Sequence, residues 1–203
     1  MSKVASRCHH ERPEAGWRGH ARGLTLIELM VTVAVAAVLL TLAAPSFREM
    51  IQRNKARSVT NEFNTAVAQA RGLAIANNTC VTLCTASVTA TNAPTCASPD
   101  STGYQAGWIV FTNPACDGDQ VNPVAAGGTL RQTRNGSSDG FSIVPSQTSV
   151  YRLMFDARGI STAPADVLFQ IRAPGDTGNV YARTICMDAT GRTTVRGYTT
   201  SCN

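Results

Sequence analysis

One run of 21 apolar and small residues, 24–44, limits most strongly what this chain can fold into. Its only charged residue is Glu28. As an α-helix the run is about 31 Å long, which is enough to cross the hydrocarbon core of a bilayer. Five basic and two acidic residues give residues 1–23 a net charge of +3, which favours a cytoplasmic N-terminus. The sequence therefore predicts a single-pass inner-membrane helix, with the rest of the chain outside that membrane.

The lone carboxylate of Glu28 needs a counter-charge in such a helix. An ionised acid costs roughly 2.5 to 3.5 kcal/mol at the centre of a membrane helix on insertion scales. If the chain is cut between Gly23 and Leu24, a new α-amino group lies four residues before Glu28. That amine could neutralise Glu28 of the same subunit or of a neighbouring one.

Two other interpretations of the run explain the residues less well. A secretory signal peptide cut near residues 42–44 would have Pro45 directly after the cut, which hinders cleavage, and Glu28 inside its apolar region. A plain membrane anchor does not explain why the apolar run contains the carboxylate of Glu28.

The start of the run carries a specific motif, Gly23-Leu24-Thr25-Leu26-Ile27-Glu28-Leu29. It resembles the class III signal of type IV prepilins and of type II secretion pseudopilins. The resemblance implies that a prepilin peptidase cuts after Gly23 and N-methylates Leu24, and that Glu28 guides assembly through the helix. It also implies that Pro45 bends the helix.

Beyond the apolar run, the pattern predicts a helix followed by strands. Residues 45–78 have apolar positions at three- and four-residue steps with basic residues between them, which indicates an amphipathic helix ending near Asn77 and Asn78. Strands are predicted at 80–84, 107–111, 130–133, 141–144, 150–155, 167–172, 180–187 and 192–196. Two similar segments, 155–160 and 187–192, each place Asp and Gly where a tight turn joins two strands.

This order of elements resembles the GspH/FimT/FimU-like branch of the pilin family, whose members are minor pilins or minor pseudopilins. The resemblance implies an α+β pilin fold, with a long N-terminal helix, its first half transmembrane, packed on an antiparallel sheet domain with disulfides. The expected organisation is a leader peptide at 1–23, a transmembrane and assembly helix at 24–44, an amphipathic helix at 45–78 and a β-rich domain at 79–203.

Six of the seven cysteines follow the leader, and an even set in an exported domain indicates up to three disulfides. Their spacing is too irregular for a typical zinc site. Cys186 and Cys202 flank the last predicted hairpin, and the disulfide loop near the C-terminus of the resembled family supports that pair. Spacing leaves the other four cysteines open, and our choice is Cys84 with Cys96 and Cys80 with Cys116.

The sequence has few of the residues and motifs that support catalysis or cofactor binding. No histidine follows Gly23, and no glycine-rich loop leads from a strand into a helix. The acidic segment 116–122 lacks the full calcium-loop pattern and is interpreted as a solvated turn. We therefore expect no catalysis, no cofactor and no metal.

Three arginines near the last hairpin, Arg183, Arg192 and Arg196, form a candidate DNA-binding set. FimT-like minor pilins of naturally competent bacteria bind DNA through a basic Gly-Arg-x-Arg motif in this region. Here the second arginine after Gly191 comes two places later. The alternative is that these arginines only solvate the hairpin.

The predicted function is therefore a minor pilin of a type IV pilus in a Gram-negative bacterium, promoting pilus assembly and binding double-stranded DNA for uptake. The alternative is a minor pseudopilin of a type II secretion system. The expected partners are other pilins through the N-terminal helix, the prepilin peptidase and the inner membrane. The protein would move from that membrane, with its domain in the periplasm, into the filament.

Overall fold

A computed structural model describes residues 23–87, 94–98, 103–125, 127–136, 139–147, 150–164 and 166–202, except the side chains of residues 42, 44 and 45. The expected leader therefore lies outside the described residues apart from Gly23. The expected role of the Pro45 ring also lies outside them. The chain divides into two compact units, the first ending at Pro45 and the second beginning at Ser46.

The first unit is helical, and its apolar side chains are exposed. The helix α1 (Leu26–Asn77) begins here. Its large apolar residues between positions 24 and 40 are each more than half exposed: Leu24, Leu26, Ile27, Leu29, Met30, Val31, Val33, Val35, Val38, Leu39 and Leu40. Among the described residues no single helix meets the length and hydropathy expected of a membrane span. The stretches Leu26–Thr41 and Ser46–Asn77 meet them only when taken together.

In the second unit, α1 buries one stripe of its surface. Phe63, Ala66, Val67, Ala70 and Ala74 are fully buried. They recur at three- and four-residue steps, so they share one helix face. Four of the five are small or β-branched, which lets the strands approach the helix closely around the single large ring of Phe63.

The described residues of this unit also form eight strands in two antiparallel sheets. The strands are β1 (Val81–Thr85), β2 (Gly107–Thr112), β3 (Leu130–Asn135), β4 (Ser142–Pro145), β5 (Arg152–Phe155), β6 (Val167–Arg172), β7 (Arg183–Met187) and β8 (Thr193–Gly197). Their orders are β3-β2-β1-β5 and β4-β6-β7-β8. The predicted α+β class is confirmed. The strands fall into two sheets because β5 pairs with β1 rather than with its chain neighbour β4.

Two strand predictions began more than one residue too early, and one of them is that of β5, which begins at Arg152 rather than at residue 150. Residues 180–182 were expected in the strand that is now β7, but β7 begins at Arg183. The carboxylate of Asp176 accepts hydrogen bonds from the backbone N–H groups of Val180 (2.9 Å) and Tyr181 (2.8 Å). Such a local turn satisfies donors that a strand would have used in its ladder.

The central strands of the first sheet are buried on both faces. Val81, Leu83, Trp108 and Val110 belong to the main core with α1. The opposite face packs a second small cluster of Cys84, Cys96, Ile109 and Phe111. As a result β1 and β2 are buried at every position rather than at alternate ones.

Three disulfides close the second unit: Cys80–Cys116, Cys84–Cys96 and Cys186–Cys202. They are the same pairs that the sequence analysis named. Their Cα–Cα distances of 5.2, 5.5 and 5.6 Å fit ordinary bridge geometry. In the chain-entropy account, each loop contributes roughly 2 to 4 kcal/mol to stability by restricting the unfolded chain.

Four aromatic rings join the helix to both sheets. The ring centroid of Phe63 lies 4.8 Å from that of Tyr104, 5.3 Å from that of Trp108 and 5.1 Å from that of Phe169. Trp108 belongs to the first sheet and Phe169 to the second. The buried Tyr104 hydroxyl donates to the carbonyl of Val150 (3.2 Å). One helix side chain therefore holds the two sheets together.

An ion pair secures the edge of the first sheet to the same helix. Arg134 of β3 contacts Glu62 through two hydrogen bonds of 2.9 Å, one to each carboxylate oxygen. Its guanidinium carbon lies 4.7 Å from the ring centroid of Trp108. A paired, stacked arginine of this kind fixes strand position better than a single exposed ion pair.

We expect Phe63→Ala to lower the free energy of unfolding by about 3 to 5 kcal/mol, because it empties the centre of the aromatic cluster. Denaturant unfolding of the detergent-solubilised chain, followed by the fluorescence of Trp108, measures this loss. Thr65→Ala, at an exposed position of the same helix, is the matched control and should change stability little. Equal losses in both variants would contradict the central role of Phe63.

Candidate functional site

The start of α1 is organised by Thr25 and Glu28. The backbone N–H of Glu28 donates to Thr25 Oγ1 (3.2 Å), and the N–H of Leu29 donates to the Thr25 carbonyl (3.2 Å). Thr25 is thus an N-cap, and Glu28 stands at the third helical position, where an acid complements the helix dipole. This cap was not predicted, although Thr-x-x-Glu before an apolar run is its usual signal.

The first of the two similar turns follows β5. The Asp156 carboxylate accepts hydrogen bonds from the N–H groups of Arg158 (2.9 Å) and Ile160 (2.8 Å). Gly159 has a φ of +79°, which glycine adopts without strain. A Cβ at Gly159 would lie 2.8 Å from Ile75 Cδ1 and 3.1 Å from Arg71 Nε, so this turn sits directly on α1.

The second turn joins β7 to β8 and repeats the same chemistry. The Asp188 carboxylate accepts hydrogen bonds from the N–H of Arg192 (2.9 Å) and the hydroxyl of Thr190 (2.7 Å). Gly191 has a φ of +73°. A Cβ there would lie 2.8 Å from the Gly159 carbonyl oxygen, so the second turn packs on the first.

Arg71 of α1 joins the two turns. Its Nε donates to the carbonyl of Gly159 (3.0 Å) and to the carbonyl of Thr190 (3.1 Å). One helix residue therefore positions a turn from each sheet. The two similar segments were predicted but this bridge was not, because the bridging arginine lies 88 and 119 residues away from its acceptors.

Hydrogen bonding lowers the pKa of both turn aspartates. The pKa of Asp156 lies below its ordinary value chiefly because its carboxylate accepts the Ile160 N–H, with further help from Arg158. The pKa of Asp188 is lowered chiefly by the Thr190 hydroxyl, with backbone bonds and the charge of Arg192 adding to the effect. Both turns therefore favour ionised aspartates.

The register of the last hairpin separates the three candidate arginines. Arg183 lies opposite Gly197 and shares its strand face with Ile185 and Met187, whereas Arg196 lies opposite Thr184 on the other face. Arg192 and Arg196 are exposed, and Arg183 is half-buried. The structure thus places Arg183 and Arg196 on opposite faces of the hairpin, with Arg192 held at the turn.

A fourth arginine, Arg172, lies on the same face as Arg196. Its guanidinium donates to Gln170 Oε1 (2.7 Å) and to the Tyr198 hydroxyl (3.3 Å), and its Cζ lies 5.6 Å from the Tyr198 ring centroid. Thr199 continues this contact by exchanging hydrogen bonds of 3.1 and 3.2 Å with the Thr184 hydroxyl. The chain after β8 therefore folds back over the outer face of the second sheet. No pattern in the sequence singles out Arg172.

The acidic segment 116–122 is a turn held by Arg152. The guanidinium of Arg152 contacts Asp119 Oδ1 (3.0 Å) and the carbonyl of Gln120 (3.3 Å). The Asp117 carboxylate accepts the N–H of Asp119 (2.9 Å). Within the described part of the chain, no group of three or more His, Cys, Asp or Glu side chains is arranged to hold a metal ion.

Two family models match this chain. The model described as Type II transport protein GspH matches residues 59–191, and that of the prokaryotic N-terminal methylation motif matches residues 18–44. The chain belongs to the GspH family. Membership implies a pilin-like structural subunit that associates with other pilins and is processed by a prepilin peptidase. A search of curated proteins finds no match for this GspH-family chain.

Two crystal structures of the type IV minor pilin FimU from Pseudomonas aeruginosa (strain PAO1) share its fold. One is 16% identical with a TM-score of 0.55, covering 74% of this chain and 97% of the FimU chain. The other is 15% identical with a TM-score of 0.52, covering 72% and 99%. The predicted type IV pilin fold and the predicted family are confirmed.

We expect the stability of the GspH-family domain to fall in acid through its two turn aspartates. Because their folded-state pKa values are lowered, their contribution is fully present above the ordinary aspartate pKa. It is lost as the pH falls through the folded-state pKa. The double variant Asp156→Asn/Asp188→Asn, which keeps the acceptors but does not titrate, should unfold with a flatter pH dependence. Denaturant unfolding across the acidic range measures this.

The control for that experiment is Asp166→Asn, which removes an exposed aspartate outside both turns. It should leave the acid-dependent loss of stability as in the unmodified chain. An unchanged pH dependence in the double variant would show that the turn aspartates are not responsible.

Proposed function

We propose that this GspH-family chain is a minor pilin of a type IV pilus, built into the filament through its N-terminal helix. The observation that carries the proposal is the exposed apolar surface of residues 24–40. Such a surface needs a cover, either lipid or other helices of the same kind. A bilayer covers it before assembly, and neighbouring pilin helices cover it in the filament.

Processing completes this surface. The methylation-motif match over residues 18–44 supports cleavage after Gly23 and methylation of Leu24. The new amine then lies beside the first turn of α1, where Glu28 already stands. In an apolar surrounding the attraction between this amine and a carboxylate is strong. Glu28 therefore fixes the position of the subunit along the filament axis relative to its neighbour. The bend attributed to Pro45 belongs to the same proposal.

A minor pseudopilin of a type II secretion system is the second candidate. The matching family description, Type II transport protein GspH, favours it. The fold shared with FimU, described as a type IV minor pilin, favours the pilus. Both systems use the same N-terminal chemistry, so loss of the gene separates them: lost twitching indicates a pilus, and lost exoprotein release indicates secretion.

Binding of double-stranded DNA is the further part of the proposed function. Arg192 is exposed at the β7–β8 turn, and Arg196 is exposed near the other end of β8, opposite Thr184. Arginines at such positions contact phosphates and bind DNA weakly and with strong salt dependence. Arg183 lies at the same end of the hairpin as Arg196 but on the opposite face, so it would add only a peripheral contact.

We expect Glu28→Gln to abolish incorporation into the filament, because the amide keeps the shape but offers no counter-charge to the new terminus. A deletion strain complemented with each variant is scored for twitching, exoprotein release and the subunit content of sheared filaments. Mass spectrometry should show both chains beginning at Leu24. Glu49→Gln, an exposed acid of the same helix, is the control and should restore function. Normal incorporation of Glu28→Gln would refute the proposal.

We expect Arg192→Ala/Arg196→Ala to weaken DNA binding several-fold and to reduce the salt slope by about 2, since two phosphate contacts are lost. Fluorescence anisotropy of a labelled duplex with the detergent-solubilised mature chain measures both quantities. The control Arg57→Ala/Arg131→Ala removes two exposed arginines elsewhere and should retain the slope. Equal binding by both double variants would contradict a site at the hairpin.

A further inference from the structure

The outer edges of the two sheets differ in how they are protected. In β4, the outward N–H of Ile143 donates to Gln105 Oε1 (3.1 Å). A Cβ at Gly103 would lie 2.6 Å from the Ile143 carbonyl oxygen, so the short segment before β2 lies directly against this strand. The edge of β4 is therefore covered by the chain itself.

The edge of β5 is covered in a similar way. Met154 donates its N–H to Thr162 Oγ1 (3.3 Å), and its carbonyl accepts the N–H of Thr162 (2.9 Å). Asp156 donates its N–H to the Ile160 carbonyl (3.0 Å). The chain after the first turn thus occupies the outward groups of β5.

The edge of β3 is protected by charge and irregularity. The strand carries Arg131 and Arg134, and its pairing with β2 shifts register at Val110 and Phe111. Charged residues and bulges of this kind discourage a further strand from adding to an edge.

Among the described residues, the edge of β8 has no covering segment and no register shift. All five residues, Thr193–Gly197, pair with β7 without a register shift, and the only charge is Arg196. Thr193, Thr194 and Val195 are consecutive β-branched residues, which favour extended pairing. Val195 is 44% exposed.

The outward backbone groups of β8 can be identified from the ladder. Asp188 donates its N–H to the carbonyl of Arg192 (3.0 Å). Hydrogen-bonded pairs alternate along an antiparallel ladder, so Thr194 and Arg196 bond to β7. Thr193, Val195 and Gly197 therefore direct their N–H and carbonyl groups away from the sheet.

We propose that β8 pairs antiparallel with β8 of a second copy of this chain, about a twofold axis at Val195. In that register Val195 faces the second copy's Val195, and Thr193 faces the second copy's Gly197. Every outward group then meets an outward group, which gives about six backbone hydrogen bonds. The strand is thus self-complementary, as a twofold interface requires.

Side chains support the same register. The exposed Val195 side chains meet across the axis and bury apolar surface. Each Arg196 lies opposite a threonine of the other copy, so the two arginines are diagonal rather than directly opposed and repel less. The pairing joins two four-stranded sheets into one of eight strands and removes an open edge.

Hydrogen exchange of the full detergent-solubilised chain tests the proposal without any substitution. The amides of Thr193, Val195 and Gly197 should exchange quickly in dilute protein and be slowed roughly tenfold or more in concentrated protein. The amides of Thr194 and Arg196, bonded to β7, should be protected at both concentrations and act as internal controls. Identical exchange of the outward amides at all concentrations would overturn the proposal.

Val195→Pro provides the matching substitution, because it removes one outward N–H and leaves the ladder with β7 intact. Analytical ultracentrifugation should find loss of the dimer. Val195→Thr keeps the N–H and the β-branched shape, so it should still dimerise, though more weakly. Unchanged association of Val195→Pro would assign self-association to another surface, such as the N-terminal helix, and reject the proposal. If Val195→Pro fails to fold, the exchange measurement on the unmodified chain decides.

Discussion

The packing of Phe63 against rings from both sheets is the contact on which the globular unit depends. Its three neighbours come from the segment before β2, from β2 and from β6, so one side chain of α1 gathers parts of the chain that are distant in sequence. The small residues along the same stripe, such as Ala66 and Ala70, let the sheets approach the helix around it. Two arginines add polar bonds on either side of this contact: Arg134 bonds to Glu62, and Arg71 bonds to the Gly159 carbonyl.

The sequence allowed the helical part of the fold to be predicted well, and the reason is local. The stripe through Phe63 and Ala70 has helical periodicity over many turns. Among the strands, β6 was predicted with its observed bounds, 167–172. Division into two sheets was not predictable, because it depends on β5 reaching across to β1. The start of β7 was misplaced because the carboxylate of Asp176, rather than residue propensity, decides the backbone there.

The candidate site was predictable in its residue types and only partly in its arrangement. The similar Asp-x-x-Gly segments predicted two turns. The contact of one turn with the other, through Gly159 and Gly191, depends on the packed helix. The sequence placed Arg192 and Arg196 near the last hairpin, whereas the placement of Arg172 beside Tyr198 required the fold-back of the chain after β8. Contacts of this kind join residues far apart in sequence, and a linear pattern carries no signal for them.

The spread of the core along the chain has a consequence for biogenesis. The buried face of α1 starts at Ala56, yet the strands that cover it run from Val81 to Met187. The helix precedes all of these strands in the chain, so its apolar stripe is fully covered only after β7 has joined its sheet. Contacts between residues far apart in sequence form only after the entropic cost of closing a long loop has been met, so folding that depends on them is slow. Until then the apolar stripe of α1 that holds Phe63 and Ala70 has no partner strands and stays open to other apolar surfaces.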